Sequence, residues 1–215
     1  MANIPLTLRL KKQAHRRVAE AQDLIVKELY NVFDDAVLHG GTAIWRCYSG
    51  NRFSEDIDAY LSRDESKIQK LFKNLSKAGF TVLKKKTTDN TLYSSLDFNG
   101  TVVRFEALFK DVEGSLREYE TSDGNVLMVY ALTPEELVKE KTAAYLNRQK
   151  VRDLYDVFYL LAHVKDRAKI QKDLEKLIRQ YKPPLDEEDL KILITEGLAP
   201  TAGKMLDYIS RWYHG

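Results

Sequence analysis

The chain has 215 residues, of which 44% are hydrophobic and 31% charged, with a formal net charge of +2 at pH 7. That length buries a real core, as one large domain or two small ones, and the composition is that of a globular chain, not a disordered or fibrous one. No apolar stretch approaches the ~20 residues of a transmembrane helix, and no apolar run follows the basic N-terminus as a signal peptide requires. A single cysteine, Cys47, excludes an intramolecular disulfide and predicts a cytoplasmic protein in which Cys47 is a small core residue. Near-neutral charge means that polyanion binding has to come from a local patch, for which Lys84-Lys85-Lys86 and the Arg148, Lys150, Arg152 segment are the candidates.

In chain order, Val18, Ala21, Leu24, Ile25, Leu29, Val32 and Phe33 recur at helical spacing and predict an amphipathic helix over 9–34. A buried strand of three residues, Val37-Leu38-His39, ends at Gly40-Gly41-Thr42, where a short helix over 43–48 opens. Ser49-Gly50-Asn51 is a turn, and 57–61 is the second strand. Ile68, Leu71, Phe72, Leu75 and Ala78 form the stripe of a helix over 65–78, with Gly79 where a C-cap glycine belongs. Strands over 80–83, 92–98 and 101–109 follow, the last two joined by the hairpin signal Asn99-Gly100. The polar stretch 110–125 reads as loop and 126–130 as a last strand; every later segment reads as helix, so a domain boundary falls near 131. Thr133-Pro134-Glu135-Glu136 is a complete helix start with a capping box. The helices beyond it include one that Asp186 should cap and a last one over 201–213, where no chemistry is visible.

Chemistry concentrates between Val37 and Leu61. Glycines at a strand end let the backbone approach a ligand and take φ > 0 without steric cost. Where such a turn opens a helix, its free N–H groups and the Thr42 hydroxyl can hold phosphate oxygens. In Asp56-Ile57-Asp58-Ala59, strand alternation sends both carboxylates to one face. Like charges about 7 Å apart repel unless a cation sits between them, and hard oxygen ligands suit Mg2+ or Mn2+. Either half alone is commonplace, as a turn or as a solvated strand edge. The region is not an EF-hand, since the central Gly and closing Glu are missing. Together, in the order strand, turn, helix, strand, the two halves are the equipment for phosphoryl or nucleotidyl transfer. Glu106, mid-strand and facing away from Val103, Phe105 and Ala107, is the best-placed third carboxylate.

Later, Lys141 sits among the apolar Leu137, Val138, Ala144 and Tyr145, where it is costly to bury without an anionic partner and either snorkels outward or points at a ligand phosphate. Asp153 and Asp156 share one helix face, and Arg152 is placed to pair with Asp156.

Gly40-Gly41-Thr42 followed by Arg52-Phe53-Ser54-Glu55-Asp56-Ile57-Asp58 resembles the signature of the polymerase-beta-like nucleotidyltransferase superfamily, and within it the AbiEii-type toxins of toxin–antitoxin and phage-defence systems. The Glu140-Lys141 pair and the run from Arg152 to Asp156 resemble the second half of the same family. The resemblance implies an α/β (α+β) nucleotidyltransferase core, residues 1–131, with a mixed sheet flanked by helices. A helical domain, 132–215, would complete the nucleotide cleft. It implies an enzyme that moves a nucleoside monophosphate from an NTP to an RNA (a tRNA in some relatives) or a protein hydroxyl, with a cognate antitoxin as partner. Asp56, Asp58 and Glu106 would bind the metal, and Gly41, Thr42 and Lys141 the triphosphate. Arg52 and Ser54 would contact the nucleotide or stiffen the approach to the strand, and Asp153 or Asp156 would be the essential acid of the later motif. The superfamily more often carries Asp where this chain has Glu106. Two rivals share the fold: a binding module that has lost catalysis, and a phosphotransferase that moves the γ-phosphoryl group.

Overall fold

A computed structural model describes residues 4–215. The chain falls into two compact units, one made of Met1–Ser49 and Phe53–Ala131, the other of Gly50–Arg52 and Leu132–Gly215.

The first unit is built on a mixed seven-stranded sheet in the order β3-β4-β5-β2-β1-β7-β6. Its strands are β1 (Val37–His39), β2 (Ile57–Leu61), β3 (Thr81–Thr87), β4 (Thr91–Phe98), β5 (Thr101–Phe109), β6 (Ser115–Glu120) and β7 (Val126–Ala131). β2 runs parallel to β5 and β1 parallel to β7, while the other neighbours are antiparallel. The helices are α1 (Leu6–Arg9), α2 (Gln13–Tyr30), α3 (Gly40–Cys47) and α4 (Glu65–Lys77). Alternation decides which face is dry: Ile57, Ala59, Val103, Phe105, Ala107, Leu92 and Leu96 point to one side, where Ile25 and Leu29 of α2 and Ile68, Leu71 and Leu75 of α4 close the core.

Three predicted boundaries move. The helix expected over 9–34 is two pieces, because Leu10 is extended and buried and α2 starts only at Gln13. β3 runs on through Lys84, Lys85 and Lys86, which pair with Ser95, Ser94 and Tyr93. The stretch read as loop contains β6, whose Arg117 and Tyr119 lie opposite Val129 and Leu127 of β7. In both strands the deciding contribution is a cross-strand partner far away in sequence, which local composition does not reveal.

A buried cation joins three elements of this unit. Arg46 of α3 pairs with Asp23 of α2 and lies between the rings of Trp45 and Tyr119, 4.8 and 4.7 Å from their centroids. Asp23 also accepts the backbone N–H of Ser122 at 2.6 Å and the Tyr119 hydroxyl at 3.2 Å. The network fixes α3, the helix that begins at the double glycine. Burial pushes the Cys47 thiol up to about 12, so it is protonated and inert at neutral pH.

The second unit is helical: α5 (Pro134–Arg148), α6 (Val151–Leu160), α7 (Gln171–Gln180), α8 (Leu190–Leu193) and α9 (Ala202–His214). The capping box at Thr133 and Glu136 is formed. Asp186 does not cap its own segment; its Oδ1 accepts the Val151 N–H at 2.7 Å, at the start of α6. Gly50–Arg52 belongs to this unit because Asn51 accepts the Thr195 N–H at 2.8 Å and Arg52 bridges to Ile194. No helix among the described residues is long and apolar enough to cross a membrane.

Asp64 accepts the N–H groups of Ser66 and Lys67 at 2.9 and 3.0 Å and so caps α4. Asp64→Ala is expected to lower stability by about 1 kcal/mol, read as a shift of the urea midpoint without a change in slope.

Candidate active site

The site grows from one row of the sheet. Because β2 and β5 run parallel in register, Asp58 stands directly beside Glu106; β1 and β4 extend the row with His39 on one side and Tyr93 on the other. All four belong to the face opposite the apolar core. Asp58 is half-buried, and so is Glu106. Partial burial and then the neighbouring charge of Asp58 push the Glu106 carboxyl above its ordinary range; Arg104 opposes this, and Asp56 adds to it.

Gly40 shapes the other wall. It sits at φ +70°, in the left-handed region, and a Cβ there would collide with the Asp58 carboxylate. Gly40 is therefore a position that demands glycine. The sequence signal was present, since Gly40 directly follows the strand, but which of two adjacent glycines turns the chain is decided by the backbone. His39, stacked on Tyr60 at 4.2 Å, flanks the same turn. Gly41 and Thr42 follow in the first turn of α3 and are buried. The Thr42 hydroxyl donates to the Asp56 carbonyl and is approached by Gln22 Nε2 at 3.5 Å, while Gln22 also donates to the Ser54 carbonyl at 3.0 Å. Thr42 and Ser54 thus tie the helix start to the acidic segment through Asp56 and Gln22.

Asp56 precedes β2 and is held by Arg104, whose Nε and Nη2 donate to its two carboxylate oxygens at 2.7 and 2.6 Å. Arg104 lies two residues before Glu106 on the same face, a placement that alternation gives but whose pairing it does not. Among the described residues, no three His, Cys, Asp or Glu groups stand close enough together to hold a metal ion. The donor set nevertheless has the right chemistry: carboxylate oxygens only, two of them on adjacent strands, with a Glu106 charge disfavoured until a cation arrives.

The later motif forms a separate cluster within the second unit. Arg52 Nε and Nη2 donate to Asp156 Oδ1 and Oδ2 at 2.8 and 2.9 Å, and Lys141 Nζ reaches the same carboxylate at 2.9 Å. Lys141 also lies 3.7 Å from Asp153, which takes a two-pronged contact from Arg148 at 2.7 and 2.8 Å. Lys141 therefore neither snorkels nor waits uncompensated: two carboxylates meet it. The pairing of Asp156 with Arg152 inside α6 is replaced by these longer-range partners. Burial works to raise the Asp156 carboxyl, but Arg52 and then Lys141 outweigh it and hold it below the ordinary carboxylate range.

Solved structures share this fold. JHP933 from Helicobacter pylori aligns over 95% of this chain and 92% of its own with a TM-score of 0.63 and 20% identity. MenT4, the nucleotidyltransferase toxin Rv2826c from Mycobacterium tuberculosis H37Rv, aligns over 93% and 87% with a TM-score of 0.63 and 18% identity. Among curated proteins none matches the chain. The fold is that of nucleotidyltransferases. Residues 25–207 match the family described as nucleotidyl transferase AbiEii toxin, type IV toxin–antitoxin system, and the chain belongs to that family. It is a nucleotidyltransferase of the toxin type.

Asp156→Asn leaves Arg52 and Lys141 buried with too little negative charge, and is expected to cost about 3–5 kcal/mol in urea unfolding. The folded carboxyl is depressed, so its contribution in the wild type is present above an unfolded value of ~3.9 and is lost as pH falls through the folded value. The difference between wild type and variant should therefore shrink on acidification below about pH 4.

Proposed function

We propose that the chain transfers a nucleoside monophosphate from an NTP to a hydroxyl of RNA, as the cytoplasmic toxin of a pair with a separately encoded antitoxin. The observation that carries this reading is the in-register pairing of Asp58 with Glu106 beside the Gly40 turn.

In this reading Asp58 and Glu106 would hold a divalent cation, Mg2+ or Mn2+, joined by Asp56 once it leaves Arg104. When bound, that cation supplies charge neutralisation at the phosphates and lowers the pKa of the attacking hydroxyl. The backbone N–H groups of Gly41 and Thr42 at the start of α3 donate to the triphosphate oxygens, with the helix dipole in support. The Thr42 hydroxyl keeps α3 on Asp56 and is not available to the phosphate. The acceptor oxygen attacks the α-phosphorus, the bond to the bridging α–β oxygen breaks, and pyrophosphate leaves. Glu106 is the carboxylate placed to take the proton of the hydroxyl. Arg104, freed from Asp56, is a cation available to the charge that develops on the phosphate.

Lys141 belongs to the family's later motif and is the candidate for the outer phosphates. Its resting partners are Asp153 and Asp156, so those two carboxylates act as positioning residues that hold the ammonium within the second unit. Arg52 shares Asp156 with it and fixes the same carboxylate from the other side.

The test is incubation of the protein with α-labelled and γ-labelled NTPs, Mg2+ and total RNA. Label transferred to RNA from the α position alone is expected. Transfer from the γ position alone would make the protein a phosphotransferase, and transfer from neither would leave a binding module. EDTA should abolish transfer and excess Mg2+ restore it. Asp58→Ala is expected to lose about 10²–10³-fold in rate, the scale of removing one preorganised electrostatic group. Expression of the wild type should slow growth where Asp58→Ala does not; equal growth of the two removes the toxin role and leaves the transfer chemistry standing.

A further inference from the structure

The row that contains Asp58 and Glu106 does not stop at the carboxylates. Across β4 and β3 it continues to Tyr93 and Lys86, each the register partner of the one before. The next row on the same face runs from Arg104 through Ser95 to Lys84. β3 is an edge strand, so these side chains stand on the open border of the sheet. Lys84 and Lys86 are exposed; Tyr93 is half-buried, with Lys84 Nζ 5.3 Å from its ring centroid. Among the described residues neither lysine pairs with a carboxylate. Asp97, the acidic residue further along the same face of β4, is turned to the hairpin, where it accepts the Gly100 N–H at 3.4 Å.

The three consecutive lysines are not one patch. Strand alternation sends Lys85 to the other face, where its ammonium caps the Phe72 ring of α4 at 4.2 Å. Lys84 and Lys86 remain together, two residues apart and so about 6.8 Å along the strand. That spacing is comparable to the phosphate repeat of an extended single strand. Tyr93 lies one strand, about 4.8 Å, from Glu106, and Lys86 one strand further. A strip of cations without carboxylate partners, with an aromatic ring among them, is the equipment for single-stranded nucleic acid: charge for the backbone and a π-face for a base. A protein substrate with no run of negative charge has no complement to these two lysines.

We propose that the open face of β3, β4 and β5 is the docking lane for a single-stranded RNA acceptor end. Lys84 and Lys86 contact its phosphates, Tyr93 stacks on a base, and the terminal hydroxyl is delivered to Glu106. The lane rests on the nucleotidyl-transfer reading for its purpose but not for its measurement. Binding can be followed without nucleotide or metal, by fluorescence anisotropy of a labelled RNA about 12 nucleotides long with a free 3′ hydroxyl.

The double variant Lys84→Glu/Lys86→Glu is expected to bind at least about tenfold more weakly. Its plot of log affinity against log salt should be shallower by about 1.4, two contacts at about 0.7 each. Tyr93→Ala should weaken binding by about tenfold and Tyr93→Phe should restore it, because the ring and not the hydroxyl stacks. Lys85→Glu makes the same kind of charge change on the other face and should stay within about twofold of wild type. Thermal unfolding of each variant separates a lost surface from a lost fold.

The lane is overturned if the double variant keeps both the affinity and the salt slope. Lys85→Glu weakening binding as much as the others would overturn it too, since general charge would then be at work. A wild type that fails to bind RNA and labels a protein instead has the same consequence. If α-label reaches RNA while binding ignores the two lysines, the enzyme reading survives and the lane falls. If binding depends on the lysines and no label moves, the lane stands and the transfer reading falls.

Discussion

The parallel pairing of β2 with β5 is the constraint on which the rest depends. It sets two carboxylates side by side on adjacent strands, an arrangement that costs stability wherever like charges are directly opposite. A slip of one residue would relieve the repulsion but would send Ile57 and Ala59 to the solvent and Asp58 into the core, which is far worse. The hydrophobic face therefore enforces the acidic one. The chain between β2 and β5, through α4, β3 and β4, supplies the crossover that a parallel pair needs. It also lays the basic edge of the sheet beside the acidic row.

Charge is managed differently in the two units. In the first, Arg104 holds Asp56 at a half-exposed position, where an ion pair is worth little and can open without a large penalty. In the second, Arg52, Lys141, Asp153 and Asp156 are buried, and Arg148 closes the cluster from a more exposed position. Removing one partner there strands the others in a low dielectric, so that cluster is rigid by necessity. An exchangeable pair suits a group that has to change partners during a reaction. A locked cluster suits one that only has to hold its place.

Helix α3 connects these ideas to the core. It begins at Gly40, against Asp58, and is fixed further along by the buried Arg46, held between Trp45, Tyr119 and Asp23. The glycine turn and the acidic row thus keep their spacing because aromatic rings and an ion pair clamp the other end of the same helix.

Much of this was legible in the residues. The alternation of 101–109, the Asn99-Gly100 turn, the capping box at Thr133 and the stripe of α4 are local patterns with local physical causes, and they form as read. Alternation also placed Asp56, Asp58 and Glu106 away from the apolar side of their strands. What was not legible has one common feature: its cause lies far along the chain. β6 forms because β7 pairs with it, and β3 extends through its lysines because β4 lies beside it. Asp186 caps α6 and not its own segment because the fold brings Val151 to it.

The sequence by itself determined the family signature, the number of charges and which side of each strand they take, because side-chain period and residue chemistry are properties of the chain. Only the tertiary structure decided which charges meet. It gave Asp56 to Arg104 and Asp156 to Arg52 and Lys141, made Gly40 an obligatory glycine, and split three lysines between two faces. Partnership between groups tens of residues apart is set by strand register and helix packing, and no local pattern carries that information.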